Sequence, residues 1–325
     1  MPHPLDSSKP GTDNSLRVLV IGGGGRDHAL CHKLAQSPRL RELHAAPGNA
    51  GIAEIASCHP QVDSEQPDDL LQLAHALQPD LIIIGAEDLL VDGLASRFED
   101  AGFACLGPGR AAAQLEGSKT YAKQLMERAG IATPLWRSCS DVATAHAAID
   151  ELGGAVAIKA DGLAAGCGAF VCATPELARE AVHALMIEQR FGASGSQVIV
   201  EQLVDGEEVS VMALVDGERV VCLPPARDYK RLGDNDEGPN TGGMGAHAPS
   251  TDITSEEAAQ LARETIEPVI SLMREDGVPF RGIVYAGVML TSDGPRVLEY
   301  NCRFGNPETQ ALVRVLDADL LDLLA

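Results

Sequence analysis

The chain has few basic residues for its size. Its 325 residues include 25 lysines and arginines against 47 aspartates and glutamates, which gives a formal net charge of −22. A surface this negative repels phosphate backbones and anionic lipids, so no nucleic-acid partner and no membrane partner is expected. A local basic pocket for a small anion is still compatible with this composition.

Paired cysteine motifs and long apolar runs are also missing. The eight cysteines form no C-x-x-C pair, which favours reduced thiols in a cytoplasmic protein over a disulfide framework or a zinc site. No run approaches the roughly 18 apolar residues of a membrane span. Residues 1–15 are polar and contain proline, which predicts a disordered tail rather than a signal peptide. The expected location is the cytoplasm.

Length and patterning predict more than one folded unit. At about 150 residues per domain, a chain of this length suggests two domains. Continuous apolar runs at 16–21 and 81–84 are typical of strands buried on both faces. Helical stretches alternate with these runs, which predicts a doubly wound parallel α/β domain over residues 16–117.

From residue 118 onward the pattern changes to short strands separated by glycine-rich turns. Thr174-Pro175 and the pair Thr254/Glu257 predict helix starts, and Pro268 predicts a break in the helix that follows Thr254. The region 118–325 is therefore predicted to be α+β with a mainly antiparallel sheet. The predicted strands are 156–159, 169–173, 198–204, 209–215, 219–223, 283–290 and 296–300.

The first glycine cluster, 22–25, follows the first predicted strand. Gly22 and Gly24 match the first two places of G-x-G-x-x-G, but Asp27 takes the third place, and no acidic residue closes the strand region 43–47. This pattern disfavours a dinucleotide site and a nicotinamide-dependent dehydrogenase. An anion site at the N-terminus of the following helix, beside Arg26, is favoured. A tight turn with a surface arginine is the alternative.

A second glycine cluster, residues 162–168, lies between two predicted strands. Such loops can fold over phosphates and donate backbone amides. Lys159, at the end of the preceding strand, could pair with a phosphate as a point charge. No G-x-x-x-x-G-K-[ST] sequence occurs, so the cluster is not a P-loop. A flexible connecting loop is the competing interpretation.

Acidic, amide and basic side chains alternate near the end of the chain. If the strand is extended, Glu299, Asn301 and Arg303 point to the same side. A carboxylate and an amide oxygen two residues apart suit Mg²⁺, which leaves coordination places for phosphates. The arginine could stabilise charge during phosphoryl transfer. On spacing alone, a solvated sheet face with an internal ion pair is favoured.

The segment 233–245 (GDNDEGPNTGGMG) is dense in glycine and acidic residues. We predict that it forms no regular element and serves as a substrate-binding loop or a mobile connector. Lys230 and Arg231 precede it and concentrate positive charge in an acidic protein. A charged protein face would explain these two residues equally well.

Together, these segments resemble glycinamide ribonucleotide synthetases, the phosphoribosylamine–glycine ligase family of the ATP-grasp superfamily. The resemblance extends from about residue 16 to 325 in family order and spacing. The matching segments are VLVIGGGGRDHAL, APGNAG (46–51), LEGSK (115–119), IKADGLAAG (158–166), VDGEE (204–208), GPNTGGMGA (238–246) and LEYNCRFGNPETQ (298–310).

The resemblance implies an ATP-grasp fold of two α+β lobes that clamp ATP, with the small lobe at about 133–205 and the large lobe formed by the remainder of 118–325. It implies that the family's C-terminal domain is absent from this chain. The implied reaction joins glycine to 5-phosphoribosylamine through glycyl phosphate, with release of ADP and phosphate, in de novo purine biosynthesis. The implied partners are small molecules only, and the implied state is a monomer or weak dimer.

Matching positions imply the site residues. Lys159 and Arg303 are the implied catalytic residues, and Glu299 and Asn301 the implied ligands of Mg²⁺ or Mn²⁺. The residues implied to bind ATP are Lys119, Lys159, Gly162, Gly166, Gly168, Glu201, Gln202, Leu203, Val204 and Glu208. The residues implied to bind glycine and phosphoribosylamine are Gly24, Gly25, Arg26, Asn240, Thr241, Gly242, Gly243 and Met244.

Three positions depart from the family pattern. Cys167 replaces a lysine of the phosphate loop, Tyr229 replaces a histidine, and Asn306 replaces an aspartate beside the metal strand. These departures leave two alternatives open. The chain could be an ATP-grasp amide ligase that uses a different amine, or a nucleotide-binding relative that has lost catalysis.

Overall fold

The computed structural model describes residues 15–164, 166–234 and 237–325. The predicted disordered tail lies outside these residues except for Ser15. Within the described part of the chain, no helix is both long and apolar enough to cross a membrane.

The N-terminal unit is a parallel sheet with helices on both faces. Its elements are β1 (Leu16–Gly22), α1 (Gly25–Leu34), β2 (Leu40–Pro47), a 3-10 turn (Ile52–Glu54), β3 (Ser57–Cys58), α2 (Pro67–Leu77), β4 (Leu81–Ile84), α3 (Glu87–Val91), α4 (Leu94–Asp100) and β5 (Cys105–Leu106). The strand order is β3-β2-β1-β4-β5, and every pairing is parallel. The predicted doubly wound α/β domain is confirmed.

Burial of β1 on both faces explains its continuous apolar sequence. Leu19 and Ile21 pack into one core, whereas Val18 and Val20 pack into the core on the opposite face. The sheet order reverses between β1 and β4, so a crevice opens beyond the carboxyl ends of these two strands.

Helices α5 (Gln114–Gly117) and α6 (Lys119–Arg128) lead into a small α+β lobe. Its elements are β6 (Trp136–Cys139), α7 (Val142–Glu151), β7 (Val156–Ala160), β8 (Ala169–Cys172), α8 (Pro175–Val182), a π-helical turn (His183–Ile187), a 3-10 turn (Gly192–Gly195) and β9 (Val198–Gln202). The strands form an antiparallel sheet in the order β6-β9-β7-β8. Thr174 caps α8 by accepting the backbone N–H of Leu177, as predicted. This lobe has its own apolar core.

The large lobe is built on a second antiparallel sheet, in the order β11-β10-β14-β15. The predicted strands 209–215 and 219–223 pair as one antiparallel hairpin, and 283–290 and 296–300 pair as another. Thr254 and Glu257 form the predicted capping box, and the helix divides at Ile266, before Pro268. The elements of this lobe are β10 (Glu207–Asp216), β11 (Val220–Cys222), β12 (Arg227–Gly233), β13 (Glu237–His247), α9 (Ser255–Thr265), α10 (Glu267–Glu275), β14 (Arg281–Thr291), β15 (Gly294–Asn301), α11 (Glu308–Val315) and α12 (Leu320–Leu324).

The prediction that 233–245 forms no regular element was wrong. β12 and β13 pair as a two-stranded antiparallel hairpin, with Tyr229 opposite Gly245 and Arg231 opposite Asn240. Strand pairing uses backbone groups, so a glycine-rich strand can pair once a neighbouring strand fixes it. Residues 235 and 236 lie outside the described residues.

Candidate functional site

A cleft of about 1160 Å³ opens between the two lobes and the crevice of the N-terminal sheet. Most of the residues singled out from the sequence line it. Four predicted residues do not line it but lie within two residues of lining positions: Gly24, Gly25, Gly162 and Gly243. The lining residues predicted from the sequence are Arg26, Lys119, Lys159, Gly166, Gly168, Glu201, Gln202, Leu203, Val204, Glu208, Asn240, Thr241, Gly242, Met244, Glu299, Asn301 and Arg303.

Lys159 projects from β7 into the floor of the cleft. Its Nζ lies 2.6 Å from Oε1 of Glu201 on the neighbouring strand β9, and both side chains are buried. Burial disfavours the charge of Lys159, but Glu201 and Glu299 hold its pKa above the ordinary value. The lysine is therefore a fixed cation at the cleft floor.

Sequence reasoning missed a second lysine that shares this carboxylate. Lys123, on α6, forms an ion pair with the other oxygen of Glu201. Its burial lowers the pKa of Lys123 to about 8, although Glu201 opposes this shift. Its position four residues after Lys119, on the same face of one helix, was the available signal.

The start of α6 is fixed against the end of β7. Asp161 accepts hydrogen bonds from the hydroxyl of Ser118, at 3.0 Å, and from the backbone N–H of Thr120, at 2.6 Å. Ser118 also caps α6. This junction places Lys119 at the edge of the same cleft as Lys159.

Glu299 and Asn301 occupy alternate positions of β15, as predicted. Gly287 lies opposite Glu299, and a Cβ built there would lie 3.4 Å from Oε1 of Glu208 and 3.7 Å from Cγ of Glu299. A glycine at this position therefore leaves room for two carboxylates above the sheet. Burial disfavours the charge of Glu299, but Lys230 and other cations lower its pKa to about 2.

Lys230 is the central cation of this part of the cleft. Its Nζ lies 2.6 Å from Oε1 of Glu208, 3.9 Å from Oδ2 of Asp228 and 4.0 Å from Oε1 of Glu299. Burial disfavours its charge, but the carboxylates, Glu208 foremost, raise the pKa of Lys230 well above its usual value. The sequence left open whether Lys230 belonged to a site or to a charged surface, and the structure places it in the cleft.

The side-chain oxygens of Glu299 and Asn301 on β15 suit a divalent cation that is also coordinated by substrate phosphates. Among the described residues, no group of three or more His, Cys, Asp or Glu side chains is arranged to hold a metal ion. Glu299 and Asn301 supply two oxygens, which is the number of protein ligands typical of Mg²⁺ bound together with substrate phosphates. An ionised Glu299 strengthens this fit.

Arg303 lies where the large lobe meets the N-terminal unit. Its Nε donates to Oε2 of Glu87, at 3.1 Å, and a terminal nitrogen lies 3.0 Å from Oε1 of Glu116. Both carboxylates raise the pKa of Arg303 above its usual value against the effect of burial. Glu116 also accepts the backbone N–H of Cys302, at 2.8 Å. The segment 115–119 thereby orients the segment that carries Arg303.

Arg26 follows β1 at the crevice of the parallel sheet. It donates to the carbonyl of Phe304, at 3.1 Å, and lies 3.9 Å from Glu87. Its burial, with the nearby charge of Arg303, lowers the pKa of Arg26. Two arginines therefore converge on Glu87, and both line the cleft.

Asp27 explains why the first glycine cluster departs from the dinucleotide pattern. Its buried carboxylate accepts the backbone N–H of Gly24, at 2.8 Å, at the start of α1. A Cβ at Gly22 or Gly85 would lie 2.3 Å or less from this carboxyl group. The helix begins at Gly25, and Asp27 already occupies the backbone N–H of its N-cap residue, Gly24.

The glycine loop and the β12–β13 hairpin approach each other across the cleft. Asn240 donates to the carbonyl of Ala169, at 3.3 Å, and a Cβ at Gly166 would lie 3.4 Å from the carbonyl oxygen of Thr241. Gly166 adopts a left-handed φ of 76°. Cys167, beside it, is exposed. The hairpin therefore touches the glycine-rich loop of the small lobe.

Two buried carboxylates in the cleft were also missed from the sequence. Glu308, at the start of α11, accepts the hydroxyl of Tyr285 at 2.7 Å through Oε1, while its buried Oε2 has no hydrogen-bond partner. Burial raises the pKa of Asp228 to about 7, although Lys230 opposes this shift. Both carboxylates line the cleft, and Lys230 approaches Asp228 only to 3.9 Å.

Two family models together match residues 16–309 of the chain. Residues 16–116 match the N domain of phosphoribosylglycinamide synthetase, and residues 117–309 match its ATP-grasp (A) domain. The chain is 47% identical over 309 residues to the phosphoribosylamine–glycine ligase of Rhizobium meliloti, covering 95% of this chain and 73% of that protein. It is 43% identical to the trifunctional purine biosynthetic protein adenosine-3 of Gallus gallus, covering 95% of this chain and 31% of that protein.

Solved structures agree with the fold. The phosphoribosylamine–glycine ligase of Thermotoga maritima aligns with a TM-score of 0.79 and 34% identity, covering 92% of this chain and 72% of that chain. A biotin carboxylase of Campylobacter jejuni aligns with a TM-score of 0.73 at 15% identity, covering 96% of this chain and 70% of that chain. The expected ATP-grasp architecture is confirmed.

Proposed function

This chain belongs to the phosphoribosylglycinamide synthetase family, and on that premise we infer that it joins glycine to 5-phosphoribosylamine in purine biosynthesis, with release of ADP and phosphate. Members of this family are ATP-dependent carbon–nitrogen ligases. The observation that carries the proposal is that Lys159, Arg303 and the oxygen pair Glu299/Asn301 line one cleft.

In this proposal ATP lies between the two lobes. Lys119 and Lys159 pair with its phosphates, and residues 162–168 cover them with backbone amides. The segment 201–204, which runs from the end of β9 into the connection to β10, contacts the adenine base through its backbone. Glu208 is proposed to contact the ribose. For this contact its carboxylate must move partly away from Lys230, with which it forms an ion pair.

Glu299 and Asn301 would hold Mg²⁺ or Mn²⁺. A bound divalent ion supplies neutralisation of the charge that develops on the transferred phosphoryl group. Lys159 and Arg303 contribute fixed positive charge to the same region. Because carboxylate partners hold both side chains in place, little reorganisation is needed when that charge develops.

The proposed chemistry has two displacement steps. A carboxylate oxygen of glycine bonds to the γ-phosphorus of ATP while the bond from that phosphorus to the ADP oxygen breaks, which gives glycyl phosphate. The amine nitrogen of phosphoribosylamine then bonds to the acyl carbon, the bond from that carbon to the bridging oxygen breaks so that phosphate leaves with this oxygen, and the nitrogen loses a proton. The chain supplies positioning and exclusion of water for both steps.

We place the ammonium group of glycine beside Asp228 and Glu308. Glu308 offers a buried carboxylate oxygen without a partner, and Lys230, the cation beside Asp228, pairs more closely with Glu208. A small ammonium would compensate both charges with charge-assisted hydrogen bonds. Asn240–Met244, on the hairpin, would close over the bound amino acid.

Phosphoribosylamine is proposed to bind at the crevice of the N-terminal sheet. Arg26 faces the cleft there and is the positive group nearest the start of α1. Gly24 and Gly25 allow a phosphate to approach the backbone. Since Asp27 occupies one donor of this helix start, Arg26 carries more of the expected phosphate affinity than the helix does.

The test is ADP formation by the purified chain with Mg²⁺, ATP, glycine and freshly prepared phosphoribosylamine. The proposal requires both substrates, and Glu299→Ala is expected to abolish turnover while the circular dichroism spectrum is unchanged. Turnover only with other acid–amine pairs would show that glycine and phosphoribosylamine are not the substrates. ATP binding without turnover on any pair would indicate a relative that has lost catalysis.

A further inference from the structure

Lys123 is a buried charge that does not line the cleft. Its exposed fraction is 2%, and its Nζ donates to the hydroxyl of Thr133 at 2.5 Å in addition to the ion pair with Glu201. Burying a charge costs free energy, and an apolar residue of similar volume would often be neutral or stabilising. A structural role alone therefore gives little reason for a lysine here.

The charges around Glu201 balance in a specific way. One buried carboxylate is shared by Lys123 and Lys159, so the three groups together carry one net positive charge. Lys159 and Glu201 line the cleft, whereas Lys123 lies behind them. Without Lys123, Glu201 would neutralise Lys159 alone, and both carboxylate oxygens would be available to draw its ammonium group away from a phosphate.

The same lysine connects the two lobes. Thr133, which accepts from Lys123, donates in turn to the carbonyl of Val297, at 2.7 Å. The N–H of Val297 donates to the carbonyl of Ala132, at 2.9 Å. Val297 lies on β15, two residues before Glu299. Lys123 therefore links the strand of Glu201 in the small lobe to the strand of the proposed metal ligand in the large lobe.

We propose that Lys123 is a positioning residue that divides the charge of Glu201, so that Lys159 keeps its charge and its direction toward the phosphates of ATP. This inference rests on the proposed nucleotide site. It assigns Lys123 no contact with substrate. It also gives the side chain of Glu201 a role separate from the backbone contact with adenine inferred from the sequence.

The test is a charge-compensation series measured by ATP titration calorimetry and by steady-state ADP formation. Lys123→Met removes one positive charge from the group formed by Lys123, Glu201 and Lys159. We expect it to raise the Kd for ATP about tenfold and to lower kcat about tenfold. Lys123→Met combined with Glu201→Gln returns the net charge to one and is expected to recover most of both losses. Arg128→Met, on the same helix in an exposed ion pair with Asp276, is the control and is expected to behave as wild type.

Two outcomes would overturn the proposal. One is that Lys123→Met retains the wild-type Kd and kcat, and the other is that the double variant is no better than Lys123→Met. If Lys123→Met does not fold, Thr133→Val is measured instead, because this variant removes the hydroxyl that accepts from Lys123. We expect Thr133→Val to lower kcat about threefold. A wild-type kcat in this variant would overturn the proposal.

Failure of the proposed function looks different. In that case the wild-type chain gives no ADP with glycine and phosphoribosylamine, and the calorimetric comparison of wild type, Lys123→Met and the double variant still decides the role of Lys123.

Discussion

Gly287 on β14 lies directly opposite Glu299 on β15, and the missing side chain leaves the space in which Glu299 and Glu208 face each other. A Cβ at this position would make ordinary contacts of 3.4 and 3.7 Å, whereas the further methyl groups of valine would press on both carboxylates. We expect Gly287→Val to raise the Mg²⁺ concentration for half-maximal ADP formation at least about tenfold. Gly287→Ala is the matched control, and its half-maximal Mg²⁺ concentration should stay near that of wild type. If the valine variant also needed only the wild-type Mg²⁺ concentration, the metal assignment would be contradicted.

Restoring the lysine of the family at position 167 should increase catalysis. Cys167 is exposed in the glycine loop, and a charge-assisted hydrogen bond is worth about 1.5–3 kcal/mol, or roughly ten- to a hundredfold. We expect Cys167→Lys to raise kcat/KM for ATP by about tenfold in a steady-state assay. Cys167→Ser should give no gain. An unchanged kcat/KM in the lysine variant would show that the loop does not use this position for phosphate binding.

Glycine binding should depend on the ionisation of Asp228. Because burial raises the pKa of Asp228 to about 7, the carboxylate forms as the pH rises through 7. The KM for glycine should therefore fall between pH 6 and pH 8. Asp228→Asn should raise this KM about tenfold at pH 8, remove the pH dependence and leave the KM for ATP unchanged. Asp252→Asn, outside the cleft, is the control, and a rise in both KM values for Asp228→Asn would argue against an ammonium site.

A pair of histidines should make the N-terminal unit sensitive to acid. Nδ1 of His44 lies 3.1 Å from Nε2 of His59, and burial, with the charge of His44, lowers the pKa of His59. Between this lowered value and the ordinary value of about 6.5, the unfolded chain binds more protons than the folded one. Stability is therefore lost as the pH falls through this window. His59→Gln should show a smaller decrease in Tm from pH 7.5 to pH 5 than wild type, and an equal decrease would count against this explanation.

Local patterns in the sequence predicted most of the fold. The apolar runs predicted the parallel strands, and Thr254, Glu257 and Pro268 predicted the start and the division of one helix, because these signals act over a few residues. The hairpin at 227–247 was missed, since glycine carries no side-chain pattern from which strand pairing could be predicted.

The missed partners in the site have a different cause. Arg303 is held by Glu87, 216 residues away along the chain, and Lys159 is held by Glu201. The sequence predicted Arg303 but not Glu87, and it predicted Lys159 and Glu201 without their ion pair, because only the packing of distant elements shows which carboxylate reaches which cation. Glu308 was contained in a matching segment without a role, and its unpartnered oxygen is visible only in three dimensions.

The most direct test of the proposed chemistry follows the oxygen atoms of glycine. If the carboxylate attacks the γ-phosphorus of ATP and the amine then displaces phosphate from the acyl carbon, one carboxylate oxygen leaves with each phosphate. Ligation of glycine labelled with ¹⁸O in both carboxylate oxygens, followed by mass spectrometry of the phosphate, should give one ¹⁸O in each phosphate formed. Unlabelled phosphate from a reaction that forms the amide would contradict the acyl-phosphate mechanism.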